Sequence, residues 1–163
     1  MLSYIGEHCG EDAVYEIHRK NIENTLLPMF HRLFETKDIE EKIRKRAAVW
    51  THFHMISLDE IEEDNEKFTF KIQCDSGGSI RQWPDYGKTK EGHPWSYGEK
   101  GFCYYCGHCP IFHEIMPIEK YGFPNLITDP QPGGKCYQYL YKDPEDVPEK
   151  YYNRIGLKKR RKD

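Results

Sequence analysis

The sequence predicts an α+β fold, with N-terminal helices packed on a small antiparallel sheet and a long cysteine-bearing loop region. Apolar residues recur at helical spacing in the first third of the chain, and two later segments alternate between apolar and polar residues. At 163 residues the chain has the size of one domain. We expect a domain over 1–156 with a helical part at 10–58, a sheet and metal-loop part at 66–156, and a basic flexible tail at 157–163.

Two helices are predicted in the first third. Helical spacing of apolar residues runs over 11–35, where Pro28 should kink or split the helix. Asp38 is the expected N-cap of a second helix, because an Asp side chain can accept hydrogen bonds from the first free N–H groups. Its apolar stripe consists of Ile39, Ile43, Ala47, Trp50 and His54. The basic residues on the opposite face indicate a solvated surface.

Two strands are predicted beyond these helices. The acidic run at 59–66 indicates a surface connection that leads into the first strand at 67–74. Alternation places Cys74 on the apolar face of that strand. The second strand covers 135–142, with Cys136, Gln138 and Leu140 on one face and three tyrosines on the other.

The region between the two strands is predicted to be mostly irregular. Glycine, proline and two tryptophans occur throughout 75–101, and so long a loop within a compact domain is usually functional. A short helix is expected at 111–121, broken at Pro117 because proline lacks the N–H that a helix needs.

Composition excludes several function classes. The net charge of −3, from 24 basic and 27 acidic residues, gives no field that would favour nucleic acid. No apolar run approaches the ~20 residues of a membrane span. The first residues lack a basic and then apolar signal pattern, so we expect a cytoplasmic protein. Disulfides are rare in that compartment, and six cysteines therefore favour metal or redox chemistry.

The cysteine spacing predicts a metal site. Cys106-Gly107-His108-Cys109 has the two-residue spacing that lets two thiolates reach one ion. Cys74 and Cys136 lie at or near strand ends, where the chain can converge on the loop region. We predict a zinc ion bound by Cys74, Cys106, Cys109 and Cys136, with Cys103 or His113 as a replacement for either remote cysteine.

Two alternatives to zinc remain open. An iron–sulfur cluster would use Cys103, Cys106 and Cys109, with Cys74 or Cys136 as the fourth ligand. The six cysteines could instead be small buried thiols without a metal. Four cysteine ligands would close a zinc site and make it structural, whereas three would leave a position for water.

Three side chains are candidates for acid–base catalysis. Glu114 follows the cysteine cluster and could serve as a general base for metal-bound water. His54 lies on the apolar stripe of the second helix, and a partly buried imidazole titrates near neutrality. His93 lies in the long loop beside Pro94-Trp95. A fourth possibility is a Cys74 thiolate beside the glycine-rich turn, whose N–H groups could hold an oxyanion.

Several motifs resemble a family of uncharacterised bacterial proteins. They include Cys74-Asp75-Ser76-Gly77-Gly78, Tyr104-Tyr105-Cys106-Gly107-His108-Cys109 and the closing Tyr141-Lys142-Asp143-Pro144. Where that family has Cys-Gly-Ser-Gly-Gly, this chain has Asp75 in the second position, which makes the turn less favourable for an anion. More distantly, the helical N-terminus followed by a cysteine-bearing α+β portion resembles the L-2-amino-thiazoline-4-carboxylate hydrolase group. That resemblance implies hydrolytic opening of a small sulfur–nitrogen heterocycle and implies no particular catalytic residue.

These patterns together predict a cytosolic zinc-binding protein that acts on a small molecule, as a C–N or C–S hydrolase. A non-enzymatic module in which zinc holds the loops together is the alternative, and an iron–sulfur protein for electron transfer or sensing is another. No nucleic-acid or membrane partner is expected.

Overall fold

The fold is α+β, as the sequence predicts. The computed structural model describes residues 1–28, 38–54 and 56–160. Within these residues, four strands form one antiparallel sheet in the order β1-β2-β4-β3. The strands are β1 at Ile56–Glu63, β2 at Lys67–Cys74, β3 at Ile127–Pro130 and β4 at Lys135–Tyr141.

β2 and β4 form the centre of the sheet and confirm the two predicted strands. Alternation buries Phe68, Phe70 and Ile72 on one face of β2, where they pack with Trp50. Their antiparallel register pairs Ile72 with Cys136. The end of β2 and the start of β4 therefore lie side by side, which brings Cys74 and Cys136 to one end of the sheet.

β1 corrects the prediction of a surface connection at 59–66. The acidic run belongs largely to an edge strand whose glutamates face solvent, and Lys71 of β2 pairs with two of them. Its Nζ lies 2.6 Å from Glu62 and 3.0 Å from Glu60. Charged side chains are a common way to protect a sheet edge from pairing with another chain. The acidic composition of β1 is not typical of a strand. Its glutamates are stabilised by Lys71 of β2, which the local sequence of β1 does not reveal.

The N-terminal helices are α1 at Leu2–His8, α2 at Glu11–Asn21 and α3 at Ile39–Phe53, and α2 continues through a wide π turn at Ile22–Leu26. The Asp38 cap is confirmed, since its carboxylate accepts the N–H of Glu40 at 2.8 Å and of Glu41 at 3.2 Å. The predicted helix beyond Pro28 lies outside the described residues. No helix of the described part is long and apolar enough to cross a membrane.

The cysteine-bearing segment is helical in three successive geometries. A 3₁₀ turn at Tyr104–Gly107 leads into α5 at His108–Pro110, a π turn at Ile111–Ile115 and α6 at Met116–Tyr121. Pro117 does not break this stretch, contrary to the prediction. It lies in the first turn of α6, just after the π turn, where a missing N–H costs least.

The long loop is held by short elements and buried aromatics. It contains α4 at Gly77–Ile80 and a 3₁₀ turn at Pro94–Ser96, and Trp95 is buried in the larger core. The last helix, α7, spans Glu149–Asn153. Part of the tail predicted to be flexible contacts the domain, because the Lys159 ammonium donates to the carbonyl oxygens of Glu145 and Val147.

A buried carboxylate joins four segments beside the sheet. Glu114 is fully buried and accepts hydrogen bonds from Arg154 Nη2 at 2.8 Å, Tyr97 Oη at 2.9 Å and Thr128 N at 2.9 Å. Arg154 also donates to the carbonyl oxygen of Thr128 at 2.7 Å. Burial raises the pKa of Glu114, while the nearby guanidinium opposes that shift. These bonds fix the π turn against β3 and the end of α7.

The Glu114–Arg154 pair is expected to be a large contributor to stability. Glu114→Gln leaves the partly buried guanidinium without its counter-charge and should lower the free energy of unfolding by about 3 kcal/mol. The matched control is Glu119→Gln, which breaks the exposed Arg19–Glu119 pair and should cost less than about 1 kcal/mol. Urea unfolding monitored by circular dichroism measures both, and equal losses would contradict the central role of Glu114.

Candidate functional site

A pocket opens between the sheet end, α3 and the cysteine-bearing helical stretch. Its walls include Ile72 of β2, Trp50 of α3, Pro110 of α5 and Thr128 of β3. The cavity has a volume of about 50 Å³. A cavity of that size holds a few water molecules or one compact group of a ligand.

All four cysteines predicted to bind zinc line this pocket, namely Cys74, Cys106, Cys109 and Cys136. Three segments supply them: the end of β2, the helical stretch and the start of β4. Across residues 1–28, 38–54 and 56–160, however, no three Cys, His, Asp or Glu side chains are placed to hold one metal ion. The thiols therefore share a cavity without forming a coordination shell, and metal binding would require their side chains to rotate.

Cys109 and His108 form a thiol–imidazole pair on the pocket wall. The Cys109 Sγ lies 3.3 Å from His108 Nε2, and His108 Nδ1 lies 2.7 Å from the carbonyl oxygen of Tyr105. Because a carbonyl oxygen can only accept, Nδ1 carries the proton and Nε2 presents its lone pair to the thiol. A thiol beside a basic nitrogen whose other nitrogen is anchored is the arrangement of an activated nucleophile.

Burial keeps this pair neutral at rest. It lowers the pKa of His108 to about 4 and raises the pKa of Cys109 well above its ordinary value. The neighbouring Cys74 and Cys136 thiols raise the Cys109 pKa further. The proton therefore stays on sulfur until a bound group supplies compensating charge.

Two further imidazoles line the pocket. The ring of His54 stacks 6.4 Å from that of His108, and burial lowers the pKa of His54. His113 is almost completely buried, and burial together with the charge of Arg46 lowers its pKa well below the ordinary value. Neutral imidazoles are the form that binds metals or accepts protons.

Two buried polar atoms in the pocket wall have no hydrogen bond. Among the described side chains that line the pocket, they are His113 Nδ1 and Gln138 Oε1. An unsatisfied buried polar group costs about 1–3 kcal/mol, so such atoms often mark a place where a bound species completes the network. Both residues line the pocket. The pocket therefore offers polar contacts to a ligand.

Arg81 adds a positive charge to the rim. Its guanidinium lines the pocket and donates to the carbonyl oxygens of Gln131 and Lys135. The charge opposes the effect of burial on the pKa of Cys106, Cys109 and Cys136. Burial nonetheless dominates at Cys136 and raises its pKa to about 12. Arg81 therefore favours negative charge near the thiols.

Cys103 and Cys106 form a separate thiol pair. The proximity of the Cys106 thiol lowers the pKa of Cys103, against the opposing effect of burial. The same proximity raises the pKa of Cys106, whose Sγ donates to the carbonyl oxygen of Gly77 at 3.5 Å. In the part of the chain that the structure describes, Cys106 lines the pocket and Cys103 does not.

The three predicted catalytic residues are not brought together. His54 lines the pocket, as described above. His93 lies elsewhere, with its Nε2 2.5 Å from the Glu11 carboxylate and its ring stacked 5.1 Å from that of Trp95. Glu114 is held by Arg154, and its oxygens are occupied by donors. These contacts indicate that His93 and Glu114 hold neighbouring segments of the fold in place.

Sequence reasoning missed His108, Gln138 and Arg81. His108 lies inside the Cys-x2-Cys spacing, and the cysteine pattern alone assigns it no function. Gln138 shares the Cys136 face of β4 by simple alternation, so the pattern contained that signal. Arg81 reaches the pocket because α4 turns it towards the β3–β4 connection, which local sequence does not reveal.

Comparison with known proteins identified no matching family model, no matching curated protein and no matching solved structure. The function of this protein therefore has to be inferred from the chemistry of its pocket.

The buried His18 imidazole should make the fold less stable in acid. His18 donates from Nε2 to the carbonyl oxygen of Tyr104 at 2.7 Å, and burial lowers its pKa. Its pKa in the unfolded chain is about 6.5, so below that pH the unfolded state takes up a proton that the folded state resists. The free energy of unfolding should therefore be unaffected above pH 6.5 and fall as the pH drops towards 5.

The variant His18→Gln isolates this contribution, because the amide nitrogen can still donate while the residue no longer titrates. Its free energy of unfolding should fall less steeply between pH 6.5 and 5, by up to about 1.4 kcal/mol per pH unit. Urea titrations at four pH values provide the measurement, with exposed His52→Gln as the control. Identical slopes for wild type and His18→Gln would contradict the prediction.

Proposed function

We propose that this protein is a small-molecule hydrolase of C–N or C–S bonds, with Cys109 as nucleophile and His108 as its base. The observation that carries the proposal is the 3.3 Å contact between Cys109 Sγ and a His108 Nε2 whose tautomer is set by Tyr105. The pair faces a small cavity, where a substrate carbon could reach the sulfur.

The proposed reaction has two steps. The Cys109 sulfur attacks the electrophilic carbon while its proton passes to His108 Nε2, and the C–N or C–S bond breaks as the leaving group takes that proton. Water then attacks the thioester-like intermediate and gives a proton to His108, and the Cys109 sulfur leaves and takes that proton back, which restores the resting pair. His54, stacked beside His108, is the further acid–base candidate in the wall.

The pocket favours a compact polar substrate. Its volume of about 50 Å³ admits a small group rather than an extended chain. Gln138 Oε1 can accept a hydrogen bond from a substrate N–H, and Arg81 favours a group that carries or develops negative charge. The first compound to test is L-2-amino-thiazoline-4-carboxylate, because the sequence resemblance implies a ring of that kind.

The variant Cys109→Ser should abolish this activity while preserving the fold. Turnover of the thiazoline and of small amides and thioesters is followed by release of ammonia and of free thiol, with chelator present. We expect kcat to fall on the order of 10³-fold or more in Cys109→Ser and in His108→Gln. Cys9→Ser, which changes an exposed cysteine in the N-terminal region, is the control and should keep wild-type activity.

Retained activity in Cys109→Ser would exclude Cys109 as the nucleophile. Absence of turnover by the wild type on every probe would remove the hydrolase proposal altogether. Circular dichroism and thermal unfolding of each variant separate a loss of chemistry from a loss of folding.

A second candidate function is metal binding, with zinc as the proposed ion. It is supported by the four cysteines and three histidines that line one cavity, together with the unpaired His113 Nδ1. Soft thiolate and imidazole donors suit zinc. The proposed ligands are Cys74, Cys106, Cys109 and Cys136, with His113 or Cys103 as replacements. A site closed by four thiolates would be a non-enzymatic staple between β2, β4 and the helical stretch.

The iron–sulfur alternative requires Cys103 to share a cluster with Cys106 and Cys109. The Cys109 thiol, which lies 3.3 Å from His108 Nε2, would have to rotate towards Cys103 and Cys106 for that arrangement. Such a cluster would give a brown protein with absorbance near 400 nm, whereas a zinc protein is colourless.

Metal analysis separates these possibilities from the thiol hydrolase. Protein purified without chelator should contain close to one zinc per chain and no iron, and Cys136→Ser should lower zinc affinity at least about 10-fold. Cys136→Ser should still turn over the hydrolase substrates, unlike Cys109→Ser, since it leaves the Cys109–His108 pair in place, and Cys9→Ser should change neither property. A metal-free protein that does not take up added zinc would exclude this second function.

A further inference from the structure

Cys103 and Cys106 are placed to become covalently linked. One 3₁₀ turn separates them, closed by a hydrogen bond from Cys106 N to the carbonyl oxygen of Cys103 at 3.0 Å. A turn of this kind keeps residues i and i+3 within about 7 Å between Cα atoms, and disulfides span about 4.4–6.8 Å. The two side chains pack in one buried cluster, and each thiol perturbs the pKa of the other.

The surroundings separate this pair from the other cysteines. Phe102, Cys103 and Cys106 form a buried cluster of their own, covered by Ile80, Tyr86, Tyr97 and Tyr105. Cys109 is directed to His108 instead. Within the triplet, Cys106 therefore packs with Cys103, while its thiol donates to the carbonyl oxygen of Gly77 at 3.5 Å.

The pair is reachable from one side. Cys106 lines the pocket, so a small reagent that enters the cavity meets its sulfur. Cys103 packs with Cys106 in the buried cluster and is 4 % exposed. A pocket-facing thiol packed against a second thiol is the arrangement that dithiol–disulfide exchange requires.

We propose that Cys103 and Cys106 form a reversible dithiol–disulfide couple that exchanges with small-molecule disulfides through the pocket. One sulfur of the pair attacks a sulfur of the reagent, and the first reagent thiolate leaves. The other sulfur of the pair then attacks the protein sulfur of the mixed disulfide, and the second reagent thiolate leaves. The two protons of the protein thiols end on the two reagent thiols, and two electrons pass to the reagent.

This couple does not depend on the proposed hydrolase. Its closure leaves Cys109 and His108 unchanged, so a failed exchange experiment carries no information about hydrolysis. Closure does remove Cys106 from the proposed zinc ligands. Added zinc should therefore protect the pair from oxidation if the metal proposal holds, which links the two measurements without making either a condition of the other.

The experiment equilibrates the full chain, with chelator, in mixtures of reduced and oxidised dithiothreitol. Free thiols are then alkylated, and the protein and its peptides are analysed by mass spectrometry. We expect the loss of two of the six thiols at high ratios of oxidised to reduced reagent, with the disulfide mapped to Cys103 and Cys106 and reversed by excess reduced reagent. Cys103→Ser and Cys106→Ser should lose the transition, and Cys109→Ser and Cys9→Ser should keep it.

Retention of all six thiols in excess oxidised reagent would overturn the proposal, as would a disulfide that maps to Cys106 and Cys109. Both outcomes are measured on the wild type, so they do not depend on whether a variant folds. A transition that persists in Cys103→Ser would equally exclude the pair.

Discussion

The buried carboxylate of Glu114 is the interaction on which the site depends most. A charge taken out of water is tolerated only with close partners, and Glu114 obtains them from β3, the long loop and the end of α7. The hydrogen bonds that the Glu114 carboxylate accepts fix the position of the π turn against the sheet. Its neighbour His113 then lies in the pocket wall, and Cys109 lies near the ends of β2 and β4. Glu114 therefore shapes the site without lining it.

Local patterns predicted the centre of the sheet and missed its edge. β2 and β4 alternate because one face of each packs on a core, and this alternation is visible in sequence. β1 carries glutamates that are stabilised by Lys71 of the neighbouring strand. A cross-strand charge pair has no local signature, so an edge strand of acidic residues resembles a loop. The uninterrupted helix at Pro117 was missed for a related reason, since a π turn shifts the hydrogen-bond register just before it.

The convergence of the four cysteines could be predicted from sequence, whereas the placement of His93 and Glu114 could not. Cys74 and Cys136 could be predicted because strand ends converge in a small antiparallel sheet, and the structure places both in one pocket with Cys106 and Cys109. His93 and Glu114 could not be assigned, because their partners Glu11 and Arg154 lie 82 and 40 residues away. A histidine or glutamate is a candidate base only when such partners leave it free, and that is a property of the tertiary structure.

The changing helical geometry explains why three evenly spaced cysteines do not act alike. In a 3₁₀ helix, residues three apart lie one above the other, because three residues complete a full turn. In an α-helix three residues cover only 300°, so side chains three apart point in different directions. Cys103 caps the 3₁₀ turn that contains Cys106, and the two side chains pack in one buried cluster. The α geometry that begins at His108 turns Cys109 away, towards the His108 imidazole and the pocket. Even spacing alone predicts three ligands of one ion, but the winding of the backbone divides the triplet into a dithiol and a thiol–imidazole pair.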